Sequence, residues 1–515
     1  MLSCTYSAGI YGIDGYLVTV ECNSSKRLSC FEIVGLPDNA IKEAKERVRS
    51  ASINSGFTFP DCELIVNLAP ADIKKEGSSF DLAIALNILR CAGAINADAP
   101  LSDSCFIGEL SLSGAIRSAR GVLCMAIAAK DAGMKRLFVP VENVREASVV
   151  KGIDVYGVKN LRQVADFLNE KISIEKAVFT ESEENTEYNV PDFADVMGQE
   201  KAKRAMEIAA AGGHNIILIG PPGTGKSMLA KRLPSILPEM NFDESIETTK
   251  VHSISGILPD GVSLIKVRPF RSPHHTMSTP SLVGGGRIPT PGEISLANNG
   301  VLFLDELPEF NKQVTESLRQ PLEDGCITIT RTAGKVKYPC SFMLVCAMNP
   351  CRCGYFGHPT KECTCKETDI RKYLKKISGP LLDRIDIQIE VPSLTYGELS
   401  HRQSSEPSSE IRKRVNMART IARKRYENEI TDNGVRINCN AQLEAKHLRK
   451  YCALDDQCKA IMEKAFNNLG LSARGHDRIL RLARTIADLD GSIDIKVKHL
   501  AEAIQLRSLD KKYFN

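Results

Sequence analysis

No stretch of the 515 residues is apolar for long enough to cross a bilayer, and no signal peptide opens the chain. The expectation is a protein that works away from membranes, in the cytoplasm. A large net charge is lacking too: Lys and Arg number 67 against 63 Asp and Glu, a balance of +4. The chain as a whole is no polycation, so any contact with nucleic acid must come from local patches. Tryptophan is absent, which by itself excludes nothing. Cysteine is not scarce. There are 17, and without a secretory signal they argue for a reducing compartment and against a disulfide scaffold. The length suits about three domains with ample buried core.

What is present is first of all a phosphate loop. Gly220-Pro221-Pro222-Gly223-Thr224-Gly225-Lys226-Ser227 fits G-x-x-x-x-G-K-[ST] without a gap. The apolar run Asn215–Ile219 precedes it and a helical pattern from Met228 follows. In that setting the glycines let successive backbone N–H groups converge on phosphate oxygens. Lys226 is expected to reach the β- and γ-phosphates of ATP and Ser227 to hold Mg²⁺ through its hydroxyl.

A second apolar run, Gly300–Leu304, ends in Asp305-Glu306. It reads as a buried parallel strand whose carboxyl end faces the ligand. Asp305 would hold Mg²⁺ and Glu306 would polarise the attacking water. A third run, Ser341–Met348, ends at Asn349-Pro350, where an amide can orient water against the γ-phosphate. Further on, Arg384 sits in Leu382-Asp383-Arg384-Ile385-Asp386. It is either a surface ion pair or an arginine finger placed on a neighbouring subunit's nucleotide. Such a finger contributes roughly 10³–10⁵ in rate.

The order of these motifs resembles that of the AAA+ ATPases. Arg268-Pro269-Phe270-Arg271-Ser272-Pro273-His274-His275-Thr276 and Gly284-Gly285-Gly286-Arg287 narrow the likeness to the magnesium-chelatase-like branch. The whole chain is similar to the YifB/ComM family of that branch. The resemblance implies an α/β fold: an AAA+ core with a parallel sheet, preceded by an α+β domain like that of Lon protease and followed by a helical lid. The boundaries expected are 1–168 for the first domain, 169–190 for an acidic linker, 191–392 for the core with its helix-2 insert, and 393–515 for the lid. Within the core, the segment Phe193–Glu200 is one that such proteins lay against adenine.

In the first domain, Phe106–Leu112 and Cys62–Ala69 read as strands, and Asn39–Ser52, Phe80–Cys91 and Gly121–Ala132 as helices. Ser79 falls where Lon carries its nucleophilic serine. Serine catalysis there needs a lysine base, and the matching position is Leu123, which accepts no proton. The domain is therefore expected to be a non-proteolytic scaffold or docking module, although Lys74, Lys75 and Lys130 lie close by in the sequence.

Cys351, Cys353, Cys363 and Cys365 put four thiols within fifteen residues. Four thiolates suit a closed, structural, tetrahedral Zn²⁺ site. His358 is an alternative ligand, and four free thiols on a loop are the plainer reading. The segment Cys326–Tyr338 alternates and turns at Ala333-Gly334, as a β-hairpin does. Its Arg331, Lys335 and Lys337 would track DNA phosphates if the hairpin lined a ring's pore, as in related motors. Ordinary solubilising charges are the alternative. The same choice applies to the basic helix Ile411–Arg425, whose apolar stripe is Ile411, Val415, Ala418 and Ala422. Arg474, in Leu471–Arg481, matches the family's second sensor and would approach a γ-phosphate from the lid of an adjoining subunit.

Three functions follow from the resemblance. The first is a homo-hexameric ATP-driven ring motor on single-stranded or branched DNA, a branch-migration helicase in recombination and natural transformation. The second is a chelatase-like or chaperone-like remodelling ATPase acting on protein. The third, proteolysis, is disfavoured by Leu123.

Overall fold

The computed structural model describes residues 1–179, 190–259, 261–286, 289–331, 334–393, 405–432, 434 and 436–514. The acidic stretch Thr180–Glu187, Arg287, the turn position Ala333 and Ser404 lie outside them. The described chain forms two compact units. Among the described residues no helix is long and apolar enough to cross a membrane.

The first unit is built on nine strands: β1 (Leu2–Tyr11), β2 (Asp14–Ser25), β3 (Cys30–Val34), β4 (Glu63–Ala69), β5 (Ser104–Phe106), β6 (Glu109–Leu110), β7 (Ile116–Arg117), β8 (Arg136–Pro140) and β9 (Asp154–Val158). Seven of them form one sheet in the order β3-β4-β2-β1-β5-β8-β9. The pairs β1–β2 and β2–β4 are antiparallel and the others parallel. Alternation decides the buried face: Leu64, Val66 and Leu68 of β4 point inward. The helices Asn39–Asn54 and Asp81–Cys91 pack on that face. The first is capped by Asp38, whose carboxylate accepts from Ile41 N at 2.9 Å.

One expected strand is broken. Phe106–Leu112 divides into β5 and β6 because Ile107 and Gly108 leave the line to bond Phe138 O and Ser79 O. A side chain at Gly108 would meet Ile116 Cγ2 at 2.5 Å. Leu123 is fully buried in the helix Val122–Asp131. The segments Ser245–Ile265 and Gly334–Lys337 also belong to this unit. Leu264 is buried in a cluster with Val122, Leu123 and Leu137, and Ile246 packs against it.

The second unit is built on β10 (Ile216–Ile219), β11 (Phe270–Arg271), β12 (Gly284–Gly285), β13 (Thr290–Pro291), β14 (Val301–Leu304), β15 (Cys326–Arg331), β17 (Met343–Met348) and β18 (Ile387–Glu390); strand β16 is Gly334–Pro339. The main sheet is wholly parallel, in the order β11-β14-β17-β10-β18. Every residue of β10, β14 and β17 is buried, as unbroken apolar runs require in a sheet covered on both faces. The helices Glu200–Gly212, Lys226–Ile236, Ser408–Arg425 and Ala473–Leu489 share one core with it.

The basic helix Ser408–Arg425 buries the expected stripe of Ile411, Val415, Ala418 and Ala422. Four of its five arginines are engaged, while Arg423 stays exposed. Arg412 donates to Ser235 O, Arg419 to Ala210 O, Arg414 pairs with Glu207 and Glu406, and Arg425 grips Asp488 through two bonds. Apart from Glu406, the partners lie far away in sequence, so spacing along the helix alone gave no sign of them.

In the first unit, Asp81 is buried and its carboxylate is held by Arg47 Nε at 2.8 Å. Burial outweighs that partner and pushes the carboxyl up to about 6. An acid raised in the folded state releases its proton more readily when unfolded, so its ionisation erodes stability as pH climbs from about 4 to 6. Arg47→Ala strands the charge and raises the carboxyl further. The variant should lose about 3 kcal/mol in urea melts at pH 8 and clearly less at pH 5.

Candidate nucleotide site

The loop between β10 and the helix Lys226–Ile236 turns through Gly225, whose φ of +85° a side chain would strain. Lys226 folds back over the loop. Its Nζ donates to Gly220 O at 2.8 Å, Pro221 O at 2.7 Å and Asn349 Oδ1 at 3.2 Å. Burial brings the ammonium down to about 8, against the pull of Asp305 and Glu306. Thr224 Oγ1 donates to Pro221 O at 3.0 Å, closing the turn.

Ser227 Oγ donates to Asp305 Oδ2 at 2.6 Å, so the two oxygens expected around Mg²⁺ are already side by side. Glu306 follows at a φ of +53°, a left-handed backbone rarely adopted by a side chain of this kind. Its N–H turns back onto Asp305 Oδ1 at 3.0 Å. Strain of this order marks sites where the surroundings fix a side chain's direction. Lys226, Ser227, Asp305, Glu306 and Asn349 line a single cavity of about 430 Å³ with Pro222, Gly223, Thr224, Gly225, Met228 and Met348. These residues come from the carboxyl ends of β10, β14 and β17, where an open parallel sheet places its ligands.

Arg384 and Arg474 do not line that cavity. Arg384 donates to Arg319 O at 3.1 Å and Pro380 O at 2.6 Å and pairs with Glu323. Arg474 stands exposed in the first turn of the helix Ala473–Leu489, without a hydrogen bond or ion pair among the described residues. Arg478, on the same helix, is buried, with its Nε 3.3 Å from Asp386. Phe193 is fully buried, and Asp192 and Asp195 beside it are bound by Arg232.

Three of the four clustered thiols lie 3.3, 3.5 and 3.7 Å apart, and all four sulfur atoms are within 4.8 Å of one another. Tetrahedral Zn–S bonds of about 2.3 Å would set the sulfur atoms about 3.8 Å apart, so the four can hold one metal ion. Phe356 N donates to Cys351 Sγ at 3.3 Å, as an N–H does to a thiolate. His358 is engaged elsewhere, with Ser393 Oγ and with the N–H groups of Thr360 and Lys361, which removes it as an alternative ligand. Gly354 packs on the phosphate loop. A side chain there would meet Pro222 Cδ at 2.5 Å.

Of the hairpin cations, Lys335 and Lys337 are exposed on β16, with Val336 buried between them. Tyr11 OH donates to Lys335 O at 3.3 Å.

Sequence reasoning missed His275. Its motif was informative only as a likeness, yet His275 Nδ1 lies 3.4 Å from Glu306 Oε2. The segment is a bracket. Arg268 donates to Pro238 O and Asn299 O and pairs with Glu244. Arg271 grips Glu293 at 2.6 and 2.7 Å. His275 then rests between the His274 ring at 4.2 Å and the edge of Phe310. Two arginines spaced three apart, ahead of paired histidines, were the available signal.

Residues 192–399 match the magnesium chelatase subunit ChlI family, residues 20–143 match a second ChlI family description, and 405–507 match the ChlI C-terminal family. Competence protein ComM of Haemophilus influenzae is 43% identical over 514 residues, covering 99% of this chain and 98% of that one. The chain belongs to the YifB/ComM family of magnesium-chelatase-like AAA+ ATPases. YifB of Escherichia coli is 41% identical over 514 residues, with 99% and 98% covered. The 38 kDa subunit of magnesium chelatase from Rhodobacter capsulatus is 27% identical over 332 residues, 60% of this chain and 84% of that one. The family implies ATP and Mg²⁺.

His275→Ala frees the Glu306 carboxylate without touching the phosphate loop. Steady-state ATPase assays should show kcat falling about tenfold with KM for ATP held within about twofold. A rise in KM alone would assign His275 to binding.

Proposed function

We propose that the chain is an ATP-hydrolysing ring motor that acts on DNA, with branch migration of recombination intermediates as its work. The observation that carries the hydrolytic part is the convergence of Lys226, Ser227, Asp305, Glu306 and Asn349 on one cavity. Lys226 neutralises β- and γ-phosphate charge, Glu306 takes up the proton of the attacking water, and Asn349 holds that water in line. Ser227 and Asp305 hold Mg²⁺, which when bound spreads the charge of the phosphates.

Arg384 and Arg474 lie off the cavity wall and are charges for a neighbour's site. A head-to-tail contact that repeats and closes gives a ring, here of six copies. DNA is supported by the full-length likeness to a competence protein and by the exposed Lys335 and Lys337. A few cations per subunit, repeated around a ring, grip phosphates without reading sequence. Because most arginines of the basic helix are paired internally, the β16 lysines, with Arg331, are the preferred contacts. Residues 1–168 serve as a non-proteolytic docking domain, since Leu123 is buried core where a lysine base would be needed. Remodelling of a protein partner is the second reading, favoured by the chelatase subunit that matches part of the chain. Cys351, Cys353, Cys363 and Cys365 hold a structural Zn²⁺ beside the phosphate loop.

The deciding measurement is ATPase rate with and without single-stranded and four-way-junction DNA across a salt series. Stimulation that fades as salt rises is the expected result, and an absence of both binding and stimulation at low salt refutes the DNA motor. Arg384→Ala should abolish hydrolysis while nucleotide affinity stays unchanged. For the thiol cluster, metal analysis should return about one zinc per chain. A folded, metal-free protein would dismiss that assignment.

A further inference from the structure

Arg384 begins a short segment, Arg384-Ile385-Asp386, each residue of which is held by a different part of the second unit. The Arg384 carbonyl accepts from Asn215 Nδ2 at 2.8 Å. The Ile385 carbonyl accepts from Arg507 Nη1 at 2.6 Å. Asp386 is buried. One of its carboxylate oxygens lies 3.2 Å from His214 Nδ1 and the other 3.3 Å from Arg478 Nε. The second nitrogen of His214 meets Thr485 Oγ1 at 2.8 Å.

The two ends of this network are informative. His214 and Asn215 run directly into β10, which leads to Gly220 and the phosphate loop. Arg478 and Thr485 belong to the helix Ala473–Leu489, whose first turn carries Arg474. Stability alone does not account for the arrangement. Burying a carboxylate and a guanidinium gains little over well-packed apolar residues, and Arg478 Nη1 is left without a partner. What the network does supply is a fixed relation between three places: the phosphate-loop strand, the lid helix and Arg384.

We propose that Asp386 is a positioning residue. It ties the segment bearing Arg384 both to the strand that enters the phosphate loop and to the helix that carries Arg474. A shift of either is thereby passed to the arginine offered to the next subunit. This rests on the reading that Arg384 acts in trans.

The test is complementation in mixed rings. Asp386→Asn keeps the size of the side chain and removes its charge. Alone, it should bind nucleotide normally and hydrolyse ATP at about one-tenth of the wild-type rate or less. Lys226→Ala subunits are inactive themselves but keep a sound Asp386 and Arg384. Mixed with them, Asp386→Asn subunits should regain ATPase activity, because their nucleotide now receives a well-placed arginine. Arg384→Ala mixed with Lys226→Ala is the control and should recover in the same way. Recovery in the control without recovery of Asp386→Asn overturns the role given to Asp386 and leaves the trans reading intact. Recovery in neither mixture overturns the trans reading and this proposal with it. If Asp386→Asn fails to bind nucleotide through misfolding, Thr485→Val replaces it in the same mixtures, with the same results expected and the same results fatal. That substitution removes the His214–Thr485 link to the helix, leaves Arg478 on Asp386, and strands no charge.

Discussion

The nucleotide-binding unit is held in register by one amide. Asn215 Oδ1 accepts from Leu344 N at 2.8 Å, while its Nδ2 gives to Arg384 O at 2.8 Å. Its own carbonyl takes the N–H groups of Asp386 and Ile387, both at 3.0 Å. The adjacent strands β17, β10 and β18, the last of them at the sheet edge, are thus set against one another at a single residue. A strand rises about 3.3 Å per residue, so a slip of one place here would carry Asn349 away from Lys226 at the other end. The convergence of side chains at the carboxyl edge is a consequence of alignment fixed at the amino edge.

At that carboxyl edge the balance is electrostatic. An ammonium drawn out of water is costly, and burial alone would neutralise Lys226. Asp305 and Glu306 oppose that, and two carbonyls and an amide take its protons. The ammonium therefore stays near physiological titration without losing its bonding partners. A phosphate entering such a site meets a cation that is held in place and already partly stripped of water.

Much of this was legible before any coordinates. The phosphate loop, the Asp305-Glu306 strand and the Asn349 strand carry their meaning locally, in glycine spacing and in apolar runs of strand length. The four clustered cysteines were equally plain, since fifteen residues of chain keep them near one another. The rest depended on distant partners. Nothing in Ser245–Ile265 says that Leu264 joins a core with Leu137. The arginines of Ser408–Arg425 looked like a basic face because Glu207, Ala210 and Asp488 are far from them in the chain. Gly108 left the expected strand to bond Ser79 O, and His275 found Glu306 across a turn. In each case the missing information was tertiary, and neither periodicity nor propensity contains it.

The contact between Gly354 and Pro222 has a consequence for grafting. The cysteine loop is seated on the phosphate loop with no room for a single added carbon, 2.5 Å from the proline ring. The two are therefore not separable cassettes. A phosphate loop taken from another ATPase, with a larger residue in place of Pro222, would arrive without its matching wall. A cysteine loop moved elsewhere would leave the original with an unfilled flank. Exchange between members of the family must carry both loops at once, as one fitted part.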